Sequence, residues 1–167
     1  SLWTTKDFTD YHHDSKVIPY DGSNEFAKDS ALGTGSVVKG KDGLYHAFYT
    51  GFNWRSMPKE TIMHAVSRDL VSWQKLPEDS FHGSKPYIYD DTFRDPNVFY
   101  NEDYGEYWML ITTRSQKARG VIARYTSKDL KHWEDQGIFF ENDMGSDANM
   151  ECPTLLKYGD YWYLTFS

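Results

Sequence analysis

The heptapeptide Ser-Arg-Asp-Leu-Val-Ser-Trp at 67–73 recurs 60 residues later as Ser-Lys-Asp-Leu-Lys-His-Trp at 127–133. A looser copy, Thr-Lys-Asp-Phe-Thr-Asp-Tyr, stands at 5–11. A second pattern interleaves with the first. Gly43-Leu44-Tyr45, Gly105-Glu106-Tyr107 and Gly159-Asp160-Tyr161 each open a run that is apolar or aromatic at most positions. Each follows a turn, and before each turn lies another short apolar run, at 36–38, 97–100 and 154–156. A third strand, at 62–67 or 120–127, leads into Asp-Leu-x-x-Trp, and a short fourth strand holds the Trp. Four strands per 60 residues without helical periodicity is the pattern of a β-propeller blade. An ordinary antiparallel sandwich does not require a multi-position pattern in three copies.

Whole blades are expected at roughly 33–78 and 93–138. The repeat register begins in the last strand of one blade and stops inside the first hairpin of another. Propellers need at least four blades to close. The chain, which does not begin with Met, is therefore expected to be a piece of a longer propeller whose remainder is needed for closure. No second domain is expected within 1–167.

Composition agrees. Aromatic residues make up 17% of the chain against 39% for all hydrophobic types, so packing relies on rings, which favour β-structure. Rings can also stack on sugars. A formal charge of −7 disfavours nucleic acid and anionic membrane surfaces as partners. Cys152 is the single cysteine, which excludes an internal disulfide and leaves the compartment open.

Propellers place their sites where the first strand of each blade begins, near the central channel. The three heads are Gly33-Thr34-Gly35-Ser36, Arg94-Asp95-Pro96 and Glu151-Cys152-Pro153. Asp95 lies 12 residues before the hairpin aromatic Tyr107, and Glu151 lies 10 before Tyr161, which puts the two acids at nearly the same place in successive blades. Two carboxylates converging on one channel mouth suit hydrolysis of a glycosidic bond. One acid protonates the leaving oxygen, and another stays ionised to support positive charge at the anomeric carbon.

Phe93-Arg94-Asp95-Pro96-Asn97-Val98-Phe99 and Met150-Glu151-Cys152-Pro153-Thr154-Leu155-Leu156 resemble two signature motifs of the glycoside hydrolase family 32 fructosidases: invertases, levanases, inulinases and sucrose-6-phosphate hydrolases. Leu32-Gly33-Thr34-Gly35-Ser36 is similar to that family's Ser-Gly-Ser segment, with Thr34 in place of the first Ser. The resemblance covers nearly the whole chain. It implies a five-bladed β-propeller, all-β, of which this chain holds about two full blades and parts of two others: the end of the first, two whole, and the start of the fourth. It implies a retaining hydrolase acting on terminal β-fructofuranosyl units of oligo- or polysaccharides, with no metal or other cofactor. In this resemblance Glu151 is the general acid/base, with a raised pKa, and Asp95 the transition-state stabiliser. Arg94 binds substrate and steadies the carboxylates, and Gly33 and Thr34 line the fructose pocket. The family nucleophile is an Asp in an Asn-Asp-Pro-Asn-Gly segment, which this sequence lacks. Residues 1–167 alone are therefore expected to be inactive.

Other positions are weaker candidates. Trp54, in the loop 52–58, can form an apolar wall for the sugar. His12-His13-Asp14 suggests a metal site, but adjacent side chains of an extended segment point apart, and a loop surface is expected. Cys152 lacks an identifiable His/Asn partner set for nucleophilic work. The Asp and Trp of the repeats are expected to bond turn amides and to pack between blades, and Asp90-Asp91 to form a solvated loop. Two other functions stay open: a related five-bladed hydrolase of arabinan or xylan, and a non-catalytic carbohydrate-binding propeller.

Overall fold

The computed structural model describes residues 1–14, 17–20, 22–83, 87, 92–144 and 147–167; Asp90-Asp91 lie outside them. Among the described residues the regular elements are twelve strands and one short 3-10 turn, Pro77–Asp79. The strands are β1 (Leu2–Thr5), β2 (Tyr11–Asp14), β3 (Ala31–Lys39), β4 (Tyr45–Phe52), β5 (Glu60–Ser67), β6 (Trp73–Lys75), β7 (Phe93–Asn101), β8 (Glu106–Arg114), β9 (Gly120–Ser127), β10 (Glu134–Glu141), β11 (Thr154–Tyr158) and β12 (Tyr161–Thr165). They form two four-stranded antiparallel sheets, β3-β4-β5-β6 and β7-β8-β9-β10, and two hairpins, β1-β2 and β11-β12.

The repeat heptapeptide is a turn whose hydrogen bonds are written into its sequence. In the copy at 67–73 the Ser67 hydroxyl accepts from the N–H groups of Asp69 and Leu70, at 3.1 and 2.9 Å. The Asp69 carboxylate accepts from Val71 and Ser72, at 2.9 and 2.7 Å. Ser127 and Asp129 repeat the pattern onto 129–132, and Thr5 and Asp7 repeat it onto 7–10. The residue after each Asp is left-handed: Phe8, Leu70 and Leu130 have φ of 62, 68 and 65°. A non-glycine residue is disfavoured there, and the surrounding amide bonds hold it in place. This turn joins β5 to β6 and β9 to β10, and it also joins β1 to β2. The N-terminal hairpin thus corresponds to the third and fourth strands of a blade, one strand more than the sequence reading assigned to it.

Central strands are buried on both faces, as stacked blades demand. Along β4, Phe48 faces one core while Ala47 and Tyr49 face another. Along β8, Tyr107, Met109 and Ile111 share the first core with Phe48 and Ile62, whereas Trp108 and Leu110 pack towards Leu155 and Leu164 of the last hairpin. Each sheet therefore separates two cores, and its strands read as nearly continuous apolar runs. Trp133 packs edge-on against Phe48 of the preceding sheet, at 5.4 Å between centroids. Trp73 instead packs on its own sheet, and its indole N–H donates to Leu70 O at 2.9 Å. Between sheets, the Ser36 hydroxyl donates to Pro96 O and accepts from Val98 N–H, both at 2.8 Å. A polar chain with two buried histidines at its centre lies nearby: Asp42, His46, His64 and Asp79 follow one another at 3.2, 2.9 and 2.8 Å.

Candidate active site

The heads of the first strands carry the same local irregularity. On β3, Leu32 pairs with Gly51 and Gly35 with Tyr49, so three residues advance against two. On β7, Arg94 pairs with Thr112 and Asn97 with Leu110. Before β11, Glu151 and Ser167 exchange backbone hydrogen bonds, and Thr154 pairs with Thr165. Each head is thus a one-residue bulge, a device that bends a strand and re-aims its side chains. The bulges correct the expected alignment. Asp95 corresponds to Cys152 and Gly33, and Glu151 corresponds to Arg94 and Leu32. Asp95 and Cys152 also share a left-handed backbone, with φ of 58 and 52°. The two acids remain neighbours, one position out of step.

Local bonds fix each of these residues. Asp95 N–H donates to Thr50 Oγ1 at 2.9 Å, and Thr50 Oγ1 donates to Thr34 O at 3.0 Å. The Asp95 carboxylate accepts from Cys152 N–H at 3.1 Å. Asp95 is therefore tied to the preceding sheet through its backbone and to the following hairpin through its side chain. The segment leading to Glu151 is anchored by Thr112 Oγ1, which donates to Met150 O at 2.7 Å.

Arg94 is the hub. Its guanidinium donates to Glu151 Oε1 at 2.5 Å and to both oxygens of Glu60, at 3.2 and 3.3 Å. Its Nε lies 3.9 Å from Asp95 Oδ2. One cation thus faces three carboxylates. Asp95 and Glu60 are each only 6% exposed, while the Glu151 side chain is about half exposed. Burial pushes the Glu60 carboxyl above its ordinary pKa, opposed by Phe93 N–H and Arg94. Burial, aided by the Asp95 carboxylate, likewise pushes the Cys152 thiol up and keeps it protonated, which disfavours a nucleophilic role.

These residues line a cleft of about 460 Å³, together with Gly33, Thr34, Thr50 and Phe52 of the preceding sheet. Trp54 is exposed at its edge and stands edge-on to Phe52 at 4.3 Å. All six residues singled out from the sequence thus meet in one cleft. Glu60 and Thr50 were missed. The one available signal for Glu60 was an acid two residues before the strand expected at 62–67. His12 and His13 lie elsewhere, on β2 rather than in a loop. His13 stacks on Trp3, and His12 Nε2 lies 3.4 Å from Asp14 Oδ1, so the two rings point to opposite faces.

The model of the glycosyl hydrolases family 32 N-terminal domain matches residues 1–162. The raffinose invertase of Escherichia coli is 24% identical over 98% of this chain and 34% of its own length. The sucrose-6-phosphate hydrolase of Pediococcus pentosaceus is 30% identical over 92% of this chain and 30% of its own length. The chain therefore spans about a third of the length of these relatives. Among solved structures, a mutant of the Bombyx mori family 32 β-fructofuranosidase in complex with sucrose superposes with a TM-score of 0.65 at 26% identity, over 78% of this chain and 28% of that one. The blades described above are thus two complete blades and parts of two others of a five-bladed propeller, and the chain belongs to the glycosyl hydrolase family 32 N-terminal domain family.

Proposed function

We propose that the protein carrying this chain is a retaining glycoside hydrolase that releases terminal β-fructofuranosyl units from sucrose-, inulin- or levan-type substrates. The supporting observation is the cleft in which Arg94 binds Glu151 while Cys152 N–H holds the Asp95 carboxylate. The names of the relatives, raffinose invertase and sucrose-6-phosphate hydrolase, favour this reading over an arabinan or xylan substrate and over a non-catalytic binding propeller.

In this reading Glu151, half exposed at the cleft, is the general acid/base. The nucleophile is the Asp of the family's Asn-Asp-Pro-Asn-Gly segment, which is not part of this sequence. As that Asp bonds to the anomeric C2, the glycosidic bond breaks, and the Glu151 proton passes to the leaving oxygen. Water then attacks C2 and gives its proton to Glu151, and the enzyme carboxylate leaves, so configuration is retained. Asp95, held rigidly from both sides, accepts hydrogen bonds from the fructosyl hydroxyls that strengthen as positive charge develops on the ring. Arg94 binds substrate and holds the carboxylates in place. Gly33 and Thr34 line the fructosyl pocket, and Trp54 forms its apolar wall. In the whole domain β1-β2 complete the first blade, β3 to β10 form the second and third, and β11-β12 open the fourth. The remaining blades cover the exposed rings of Trp3, Tyr161 and Tyr163.

The test is Glu151→Gln in the full-length protein, with fructose release measured from sucrose, inulin and levan. Turnover is expected to fall by about 10²–10⁴-fold with an unchanged circular dichroism spectrum. Near-normal turnover in that variant would sink the assignment.

A further inference from the structure

A neighbouring guanidinium favours the ionised form of any carboxyl group, whereas a general acid must carry its proton. Glu151 receives a 2.5 Å hydrogen bond from Arg94, yet the proposed reaction needs it protonated in the first step. The same guanidinium carries a second partner, Glu60. Glu60 opens β5, is only 6% exposed, and accepts from Phe93 N–H at 2.7 Å as well as from Arg94. Phe93 immediately precedes Arg94, so one carboxylate grips both the backbone and the side chain of that dipeptide. Buried ion pairs of this kind persist only where further hydrogen bonds satisfy them, and Phe93 N–H supplies one.

We infer that Glu60 is a positioning residue of this site. It anchors the Arg94 guanidinium and offsets part of its charge, so that Glu151 can alternate between carboxyl and carboxylate. The inference rests on the proposed hydrolase reading. Among the described residues, the titratable groups facing Glu151 are Arg94 and Asp95 on β7 and Cys152 beside it, with Glu60 behind Arg94. Removing the Glu60 charge leaves Arg94 less neutralised against Glu151 and removes a neighbouring negative charge. Both effects favour the Glu151 carboxylate.

The experiment is Glu60→Gln in the full-length protein, with kcat/KM for sucrose followed against pH. The alkaline limb reports loss of the essential acid in the free enzyme. It is expected to move down by about one pH unit, with activity above the limb reduced about tenfold. Gln keeps an acceptor for Phe93 N–H and removes a charge that burial disfavours. A purely structural role for Glu60 would lower activity at every pH and leave the limb in place, and that outcome overturns the inference. Glu60→Asp keeps the charge but withdraws it from Arg94. It is expected to shift the limb the same way by less, and an unmoved limb in that folded variant overturns the inference even where the Gln variant does not fold. Glu151→Gln in the same assay separates the two readings. If it abolishes turnover while the Glu60 variants leave the limb unmoved, only the positioning role fails; if it keeps turnover, the hydrolase reading itself fails.

Discussion

Arg94 touches Glu60, Glu151 and Asp95, and no lysine can do the same. A guanidinium presents five donors in a planar fork, whereas an ammonium is a single point on a flexible stem. Arg94→Lys therefore loses at least one charge-assisted hydrogen bond. At about 1.5–3 kcal/mol per bond, kcat/KM for fructose release is expected to fall by roughly 10- to 100-fold, measured in steady-state assays of the full-length protein. Activity equal to wild type would show that the hub is dispensable. Asp95 illustrates the opposite constraint. Its left-handed backbone is held by Thr50, and its carboxylate by Cys152, so the residue is fixed before any substrate arrives.

The blade-end turns make a separate prediction. Backbone amides and hydroxyls hold the carboxylates of Asp7 and Asp69 down to a pKa of about 2, and the amide and ring of His132, with the amide of Lys131, hold Asp129 low as well. A carboxyl depressed in the folded state contributes stability above its unfolded pKa and loses it as pH falls through the folded value. The contribution of these turns is thus intact above about pH 4 and declines towards pH 2. The double variant Asp69→Asn/Asp129→Asn is expected to flatten the acid limb of stability in that window. Thermal melts from neutral pH down into the acid range test this, and an unchanged acid limb would place the pH sensitivity elsewhere. The hairpin turns show the same economy: Gly43, Gly105 and Gly159 supply the positive φ, of 85, 64 and 59°, that closes each one.

Stacking the sheets turns these local units into one body. The core between the two complete blades holds Phe48 and Ile62 from one sheet and Met109, Ile111, Val121 and Tyr125 from the other. Phe48 is almost fully buried, stacks on His64 at 4.4 Å and meets Trp133 edge-on. Phe48→Ala removes contacts to both sheets and is expected to destabilise the fold by about 3–5 kcal/mol. Urea unfolding measures it, and a loss below about 1 kcal/mol would mean that the blades do not depend on this seam. Activity also belongs to the whole molecule. Under the proposed hydrolase reading, residues 1–167, which contain no Asn-Asp-Pro-Asn-Gly segment, are expected to release no fructose, and the full-length protein is expected to release it.

The blades were legible in the residues because each is specified locally. Seven residues encode the blade-end turn through their own side-chain hydrogen bonds, and a glycine encodes each hairpin, so the pattern survives without knowledge of any distant contact. Arg94, Asp95 and Glu151 were legible for the same reason, as charged residues heading apolar strands. Their alignment was not. Counting back from the hairpin aromatics made Asp95 and Glu151 equivalent, but the hairpin turns differ in length, with Tyr107 paired to Tyr100 and Tyr161 to Tyr158, and this shifts such counts by a residue or more. Only the pairing of Leu32 with Gly51, Arg94 with Thr112 and Glu151 with Ser167 gives the true register. Glu60 was hidden for a different reason. It lies 34 residues before Arg94 and 91 before Glu151, and an acid opening a strand resembles any solvated strand end. Stacking one sheet on the next buries that carboxylate against the guanidinium, and long-range packing of this kind leaves no mark on neighbouring residues in the chain.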